Sequence, residues 1–460
     1  MRMNLIDRLG LSRVGNTIEG PPVGVHSFKR QREGERVHLH LRVDPDKSGL
    51  LVINAAQILH LNPTAVLMAW LYLQETPQKE AIRRIEKVFS VPHAQAVADY
   101  AQIVHQVETV MFPDGACPVC DLNLETRLPF SIQPSAPYRM DLAITYRCNN
   151  NCSHCYNARS RNFPEMDTAS WKKVLENVWD AGIPHVVFTG GEPTLRDDLP
   201  ELVAYAGQLG MISGINTNGR RLKDKAFVEA LIAAGLDHVQ VTLESHDPAI
   251  HDRMVAAPGA WEDTTAGIRT VLQYPQLYMM TNTTLLQVNS PYLMDTLQFI
   301  HNLGVPTVGI NALIYSGRGL SVNNGLPEEE LPDLLIKARE FTQESGQHLI
   351  WYTPTQYCHF NPVQLDLGVK GCTAALYNMC VEPDGSVLPC QSYYTSIGNI
   401  LTNAWDSIWN HDLAVSLRNR RDVPDSCKMC DLLHECGGGC PLAREACKSV
   451  EPIPLQALQF

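Results

Sequence analysis

Residues 144–157 read ITYRCNNNCSHCYN, a stretch that places Cys148, Cys152 and Cys155 in one C-x3-C-x2-C run. Three thiolates at that spacing suit a single iron–sulfur cluster, although a cubane offers four irons for ligation. The iron left without a protein ligand is then open to bind and activate a small molecule. A disulfide pair and a zinc site are the alternative chemistries. Zinc normally wants a fourth Cys or His, and His154, lying between two of the thiols, is badly placed to bend back.

The composition narrows the choice. A chain of 460 residues has room for two or three domains, and an apolar fraction of 45% is ordinary for a globular protein with substantial cores. The formal charge of −12 argues against nonspecific nucleic-acid binding, which relies on Lys and Arg. With no apolar run long enough to span a bilayer, no membrane association is expected. The opening MRMNLIDRLGLSRVGNTIEG lacks the apolar centre of a signal peptide, so a cytoplasmic location is expected. Fourteen cysteines in such a chain are a poor disulfide framework, because the cytosol keeps thiols reduced. Most fall into patterned groups, which points to metal and to sensitivity to oxygen.

Around the cysteine run, short β-rich segments alternate with amphipathic helical ones. Strands are predicted at 142–146, 185–189, 211–216, 238–243, 278–286 and 307–312, with helices such as 170–181 and 223–234 between them. That alternation predicts an α/β fold of parallel strands with crossover helices. Six units make a partial (β/α)6, TIM-like barrel; a closed barrel needs eight. Function gathers at the C-terminal ends of such strands. Those ends carry the cysteine run, then Gly190-Gly191-Glu192-Pro193, then Asn216-Thr217-Asn218-Gly219, then Ser245 in VTLES.

CNNNCSHCY, with GGEP in register after the next strand, resembles the signature of the radical S-adenosylmethionine enzymes. The resemblance implies that the open iron is chelated by the methionine end of S-adenosylmethionine, and that one electron releases a 5′-deoxyadenosyl radical that abstracts hydrogen. An aromatic residue is usual before the third cysteine, and His154 occupies that place. By the same resemblance Gly190, Gly191 and Glu192 approach the cofactor, with Glu192 accepting from its ammonium. Asn216, Asn218 and Ser245 lie near its ribose and carboxylate, and Arg253, in HDRMVAAPG, pairs with the carboxylate. Each of these four also reads as a loop cap or a surface charge. Asn289 is a weaker candidate, and Gly317-Arg318-Gly319 reads as a turn.

A second cysteine group follows. Cys427-x2-Cys430-x5-Cys436-x3-Cys440-x6-Cys447 lies downstream of Cys372, Cys380 and Cys390, with Gly385 before the last of these. The arrangement resembles the SPASM domain, which houses two auxiliary iron–sulfur clusters in peptide-modifying radical enzymes; paired zinc ribbons account for only some of the spacings. The resemblance implies an inner cluster on Cys372, Cys380, Cys390 and Cys440 and an outer one on Cys427, Cys430, Cys436 and Cys447. Three [4Fe–4S] clusters follow, one binding S-adenosylmethionine and two auxiliary. In sulfatase-maturing relatives an Asp base follows the third inner cysteine; Gln391 stands there and cannot take a proton, so that activity is not expected. Gly437-Gly438-Gly439 lacks a following Gly-Lys-Ser/Thr and reads as tight wrapping around a cluster. Cys117 and Cys120 remain a redox pair, half a metal site or plain linker thiols, and Cys358 is spare.

Upstream, segments 36–43 and 49–53 alternate like a small hairpin. LNPTAVLMAWLYLQ then opens a helix, with Asn62 as cap and Pro63 in its first turn, and helices follow at 78–89 and 92–110. LNPTAVLMAWLYLQ-x4-KEAIRRIEKVFSVP resembles the small winged-helix-like α+β leader-recognition domain of peptide natural-product pathways, which takes the leader peptide as an added strand; a generic docking module is the alternative. The expected organisation is an extension (1–24), this recognition-like domain (25–112), a linker (113–137), the radical barrel (138–320), a connector (321–371), the SPASM domain (372–450) and a tail (451–460). The expected partners are a precursor peptide with its leader and a flavodoxin- or ferredoxin-type electron donor. The expected activity is crosslinking of that peptide through a thioether or carbon–carbon bond. The alternative is a haem- or quinone-type cofactor pathway, with the N-terminal domain docking a partner.

Overall fold

A computed structural model describes residues 20–32, 35–55, 57–112 and 134–446. Residues 1–19, the tail, Cys117, Cys120 and Cys447 fall outside them. The chain divides into two compact units, Met1–Thr126 and Arg127–Phe460.

The first unit is a four-stranded antiparallel meander followed by three helices. Strands β1 (Gly24–Arg32), β2 (Glu35–Val43), β3 (Gly49–Ile53) and β4 (Gln57–Leu61) pair in chain order. Alternation in β2 sends Val37, Leu39, Leu41 and Val43 into the core, where Leu51 and Ile53 of β3 join them. Helix α1 (Pro63–Leu73) starts where Asn62 Oδ1 accepts from Ala65 N–H at 2.9 Å. It is apolar on every side because it is covered on every side. Val66, Ala69 and Leu73 join the sheet core. Leu67, Met68 and Leu71 pack with Ala81, Ile82 and Ile85 of α2 (Gln78–Phe89) and Ala96 and Tyr100 of α3 (His93–Met111). The outer strands β1 and β4 escaped the sequence reading: GVHSFKRQR carries its charges without a clean alternation, and QILHL is short.

The second unit is built on one nine-stranded sheet. Strands β5 (Arg139–Thr145), β6 (His185–Gly190), β7 (Ile212–Thr217), β8 (His238–Thr242), β9 (Tyr278–Leu285) and β10 (Thr307–Ala312) run parallel, each beside the next, within two or three residues of their predicted limits. The sheet continues beyond them. At one end β11 (His348–Trp351) pairs parallel with β10. At the other, β12 (Asn378–Val381) pairs parallel with β5 and antiparallel with β13 (Val387–Leu388). The two ends are not bonded to each other, so the barrel stays open. Regions given to a connector and to the cysteine-rich domain thus supply sheet strands, which four-residue segments do not announce by periodicity. The core runs through β5–β10 to Trp171, Leu175 and Val178 of helix Thr168–Asp180 and to Leu199, Leu202 and Ala206 of helix Leu199–Leu209. No described helix is long and apolar enough to cross a membrane.

Leu41 is fully buried in the first unit. Leu41→Ala should cost about 2–5 kcal/mol through lost burial and the cavity left behind. Hydrogen exchange on the full chain should then show lost amide protection in β2 and β3; unchanged protection would mean that this core does not hold the sheet.

Candidate active site

The site forms where β5 to β9 end. The cysteine run follows β5, and Cys148, Cys152 and Cys155 are all half-buried free thiols. Burial pushes the Cys148 thiol up to about 11 and Cys152 well above the ordinary range, and each of the two feels the charge of Cys155. A bound cation reverses that penalty, because metal ligands are held as thiolates. Among the described residues no disulfide forms, and no three His, Cys, Asp or Glu side chains converge on one point where a lone ion could sit. Ligands of a cubane need not converge, since each takes a separate iron.

Arginines that the sequence reading passed over hold the backbone of this loop. Arg161 Nη1 donates to the Cys148 carbonyl at 2.6 Å, and its Nη2 donates to that of Asn150. Arg220 Nη1 reaches the Asn149 carbonyl at 2.8 Å. Arg318, from the turn read as bland, reaches the Asn151 carbonyl at 3.1 Å and its side-chain oxygen at 2.7 Å. Four successive carbonyls are therefore tied by guanidinium groups, and that of Arg161 also brings positive charge to the Cys148 thiol. Arg220 stood directly after NTNG and had that signal; Arg161 had none.

The GGEP turn after β6 presses on the same loop. Gly190 has φ +140°, and a Cβ there would collide with the Thr145 carbonyl. At Gly191 a Cβ would lie 2.6 Å from the Tyr146 carbonyl. Without side chains, Gly191 N–H donates to Thr145 O at 2.7 Å and Glu192 N–H to Arg147 O at 2.8 Å. The glycines thus serve close approach of backbone to backbone.

Glu192 is almost fully buried. Its Oε1 accepts from Thr194 N–H (3.1 Å), Thr194 Oγ1 (2.6 Å) and Thr217 Oγ1 (2.6 Å), and its Oε2 accepts from Asn218 N–H at 2.7 Å. Burial pushes its carboxyl up, and these four bonds pull it back down. Glu192 thus braces the ends of β6 and β7, chiefly through Oε1, while Oε2, with one bond, keeps room to accept another. Asn218 Nδ2 in turn donates to Asn149 Oδ1 at 2.6 Å, and Asn216 lies in β7 opposite Gln240.

Ser245 is buried and its Oγ caps a turn, accepting from Asp247 N–H at 3.1 Å. Asn289 is satisfied internally by Leu286, Glu244 and Thr284. Arg253 is exposed on helix Pro248–Val255, and no ion pair to it is found among the described residues. His154 pairs through Nε2 with Glu244 Oε1 at 2.8 Å, and Glu244 Oε2 accepts from Thr284 N–H at 2.9 Å. His154 Nδ1 is left buried without a hydrogen-bond partner. Such a nitrogen calls for a polar ligand edge.

The cysteine-rich region packs directly on this site. Its inner thiols stand together: Cys390 feels the charge of Cys372 and Cys440, and Cys380 that of Cys390. Cys380 sits opposite Asp141 in the β5–β12 ladder, so it shares a sheet with the strand that launches the cysteine run. Arg159 grips the buried Glu382 with two bonds, 2.6 and 2.7 Å, and Tyr146 Oη adds a third at 3.1 Å. Gln391 accepts from Tyr156 Oη at 3.2 Å.

The Radical SAM superfamily model matches residues 142–300, and the model of the iron–sulfur cluster-binding domain SPASM matches residues 372–431. PqqA peptide cyclase of Gluconobacter oxydans is 30% identical over 317 residues, which cover 67% of this chain and 86% of that protein. The chain belongs to the radical SAM superfamily. AdoMet-dependent heme synthase of Oleidesulfovibrio alaskensis is 25% identical over 331 residues, 68% of this chain and 85% of that one. Among solved structures, Streptococcus suis SuiB bound to precursor peptide SuiA shares the fold, with TM-score 0.66, 14% identity, and coverage of 94% of this chain and 99% of that one. The structure of anSMEcpe with bound AdoMet shares it over 67% of this chain and 87% of that one, with TM-score 0.55 and 17% identity. This radical SAM enzyme thus takes S-adenosylmethionine and [4Fe–4S] clusters as cofactors. The thiol loop, its arginine ties and the orphaned His154 nitrogen fit that group.

Glu192→Gln would turn an amide N–H toward a donor, leaving a buried group unsatisfied at about 1–3 kcal/mol. S-adenosylmethionine should bind the reconstituted protein roughly tenfold more weakly; unchanged binding in equilibrium dialysis would show that the brace is dispensable. Arg159→Ala leaves Glu382 buried with only Tyr146, and since Arg159 is part-exposed the loss should stay below about 3 kcal/mol. Thermal melts of Arg159→Ala and of Arg159→Ala/Glu382→Gln check this, with the double variant recovering part of the loss.

Proposed function

We propose that this enzyme is a cytoplasmic peptide maturase that binds the leader of a ribosomal precursor peptide and installs a thioether or carbon–carbon crosslink. The reading is carried by a peptide cyclase relative at 30% identity. Beside it stands a separate N-terminal unit whose sheet ends, among the described residues, in the unpaired edges of β1 and β4. An extended leader would add there as a further strand, gaining main-chain hydrogen bonds along the edge.

In this reading Cys148, Cys152 and Cys155 hold the cluster that binds S-adenosylmethionine. Gly190, Gly191, Asn216, Asn218, Ser245 and Arg253 surround that cofactor, Arg253 supplying a guanidinium for its carboxylate, and Glu192 shapes its seat. When bound, the group supplies a 5′-deoxyadenosyl radical able to take hydrogen from an unactivated carbon. The residues do the positioning. Arg161, Arg220 and Arg318 fix the loop, Glu192 fixes the neighbouring strand ends, and the open barrel admits a peptide segment. Holding the acceptor atom beside the activated carbon replaces a random encounter with an intramolecular one. Cys372, Cys380, Cys390 and Cys440 hold an inner auxiliary cluster, and Cys427, Cys430 and Cys436 hold most of an outer one. Both suit passing on the electron released as the bond closes, with a flavodoxin- or ferredoxin-type protein as external donor. Because Gln391 cannot take a proton, a base at that place is not part of the chemistry.

A heme synthase relative at 25% identity supports a second reading, a cofactor-pathway enzyme whose N-terminal unit docks a partner. One experiment separates the two. The short peptide encoded beside the gene is incubated anaerobically with reconstituted enzyme, reductant and S-adenosylmethionine, and then weighed. A loss of two hydrogens that disappears when the leader is removed is the expected result. An unchanged mass in light and heavy water, with the cofactor still cleaved, would favour the second reading.

A further inference from the structure

Of the three cysteines that the motifs leave over, Cys358 lies among the described residues and does not stand apart in the fold. Cys358, Cys427, Cys430 and Cys436 line one cavity, with Tyr357 and Leu433 among their neighbours. The cavity holds about 350 Å³ of free space, part of it open solvent. The strap leading into Cys358 is fastened at two places, to the barrel strand β10 and to Cys436. At its start, Thr353 Oγ1 accepts from Ala312 N–H at 2.8 Å, at the end of β10. Further on, Cys436 Sγ reaches the Thr355 carbonyl at 3.6 Å, and Tyr357 N–H donates to Cys436 Sγ at 3.3 Å. The strap also lies so close to the glycine turn that a Cβ on Gly439 would come within 2.8 Å of Gln356. The approach of strap to turn is therefore a built contact.

A fully ligated cubane takes four thiolates. Cys427, Cys430 and Cys436 supply three, and two cysteines compete for the fourth place: Cys447, by its spacing, and Cys358, which lines the same cavity as the three. We propose that Cys358 is the fourth protein ligand of the outer auxiliary cluster, completing a set with Cys427, Cys430 and Cys436. The proposal rests on the reading that this region holds two auxiliary clusters, and it moves the fourth place from Cys447 to the strap. Coming from the strap, the ligand follows β11 by only seven residues, so the outer cluster is chained to the edge strand of the barrel sheet. The Tyr357 N–H bond to a ligand sulfur is of the kind that tunes a cluster's potential. Cys358 is then held on iron and cannot act as a thiol hydrogen donor to a substrate radical, which separates this enzyme from chemistry that needs one.

The test uses the full chain in a Cys148→Ala/Cys152→Ala/Cys155→Ala background, reconstituted anaerobically and examined by iron analysis, Mössbauer spectroscopy and electron paramagnetic resonance. The parent should hold about eight irons in two clusters; only one cluster there would defeat the two-cluster reading itself, separately from the choice of ligand. Adding Cys358→Ala should convert the outer cluster to a three-iron form or lose it, while the unaltered inner-cluster spectrum shows that the fold survives. Cys358→Ser should keep four irons through oxygen ligation but shift the outer cluster's reduction potential. Two unaltered four-iron clusters in Cys358→Ala, with the loss appearing in Cys447→Ala instead, would overturn the assignment.

Discussion

Cys148, Cys152 and Cys155 share one short loop, and the proposed cluster site asks that they be held at fixed spacing with one corner of the cluster left open. A loop of CNNNC composition has little of its own to hold it, since asparagines favour turns but specify no single one. The order comes from outside. Guanidinium groups from three different places in the chain, Arg161, Arg220 and Arg318, take the carbonyls of residues 148–151. Each such bond joins a charged donor to a backbone acceptor, the stronger class of hydrogen bond. Arg161 also sets positive charge beside the Cys148 sulfur, which favours its thiolate.

The brace under Glu192 solves the neighbouring problem. Parallel strands end in loops that diverge, yet a cofactor spanning several of them needs their ends in register. A single buried carboxylate accepting from Thr194, Thr217 and Asn218 locks the β6 and β7 loops to each other. Glycines at 190 and 191 let the β6 loop close onto the cysteine loop through backbone bonds. The residues most tempting as direct cofactor contacts are thus partly the scaffold that makes contact possible. Ser245 and Asn289 follow the same pattern, their polar atoms turned to turn-capping and to neighbouring carbonyls.

The cysteine-rich region is joined to the barrel as continuous structure. β12 extends the barrel sheet beside β5, and the Arg159–Glu382 clamp ties the segment after the cysteine run to the same strand pair. A buried carboxylate gripped by two parallel bonds fixes both distance and direction. That rigidity holds the cysteine-rich region at a fixed separation from the cysteine loop.

The sequence by itself determined the element pattern and the chemistry class. Alternating strands and helices gave six parallel strands to within three residues, because short β-branched and apolar runs bounded by turn residues alternate with amphipathic crossover helices. Cysteine spacing announced the clusters, because ligands on one loop are fixed by local geometry. The α1 to α3 helices were legible from an Asn-Pro start and helical periodicity. What the tertiary structure decided were features joining residues far apart in the chain. These are the extra strands β11 and β12, the arginine ties, the His154–Glu244 pair, and the meeting of Cys358 with Cys427, Cys430 and Cys436. The physical reason is the same for each. A short strand or a lone charged side chain carries no periodic signal, and its partner is chosen by the packing of the whole sheet.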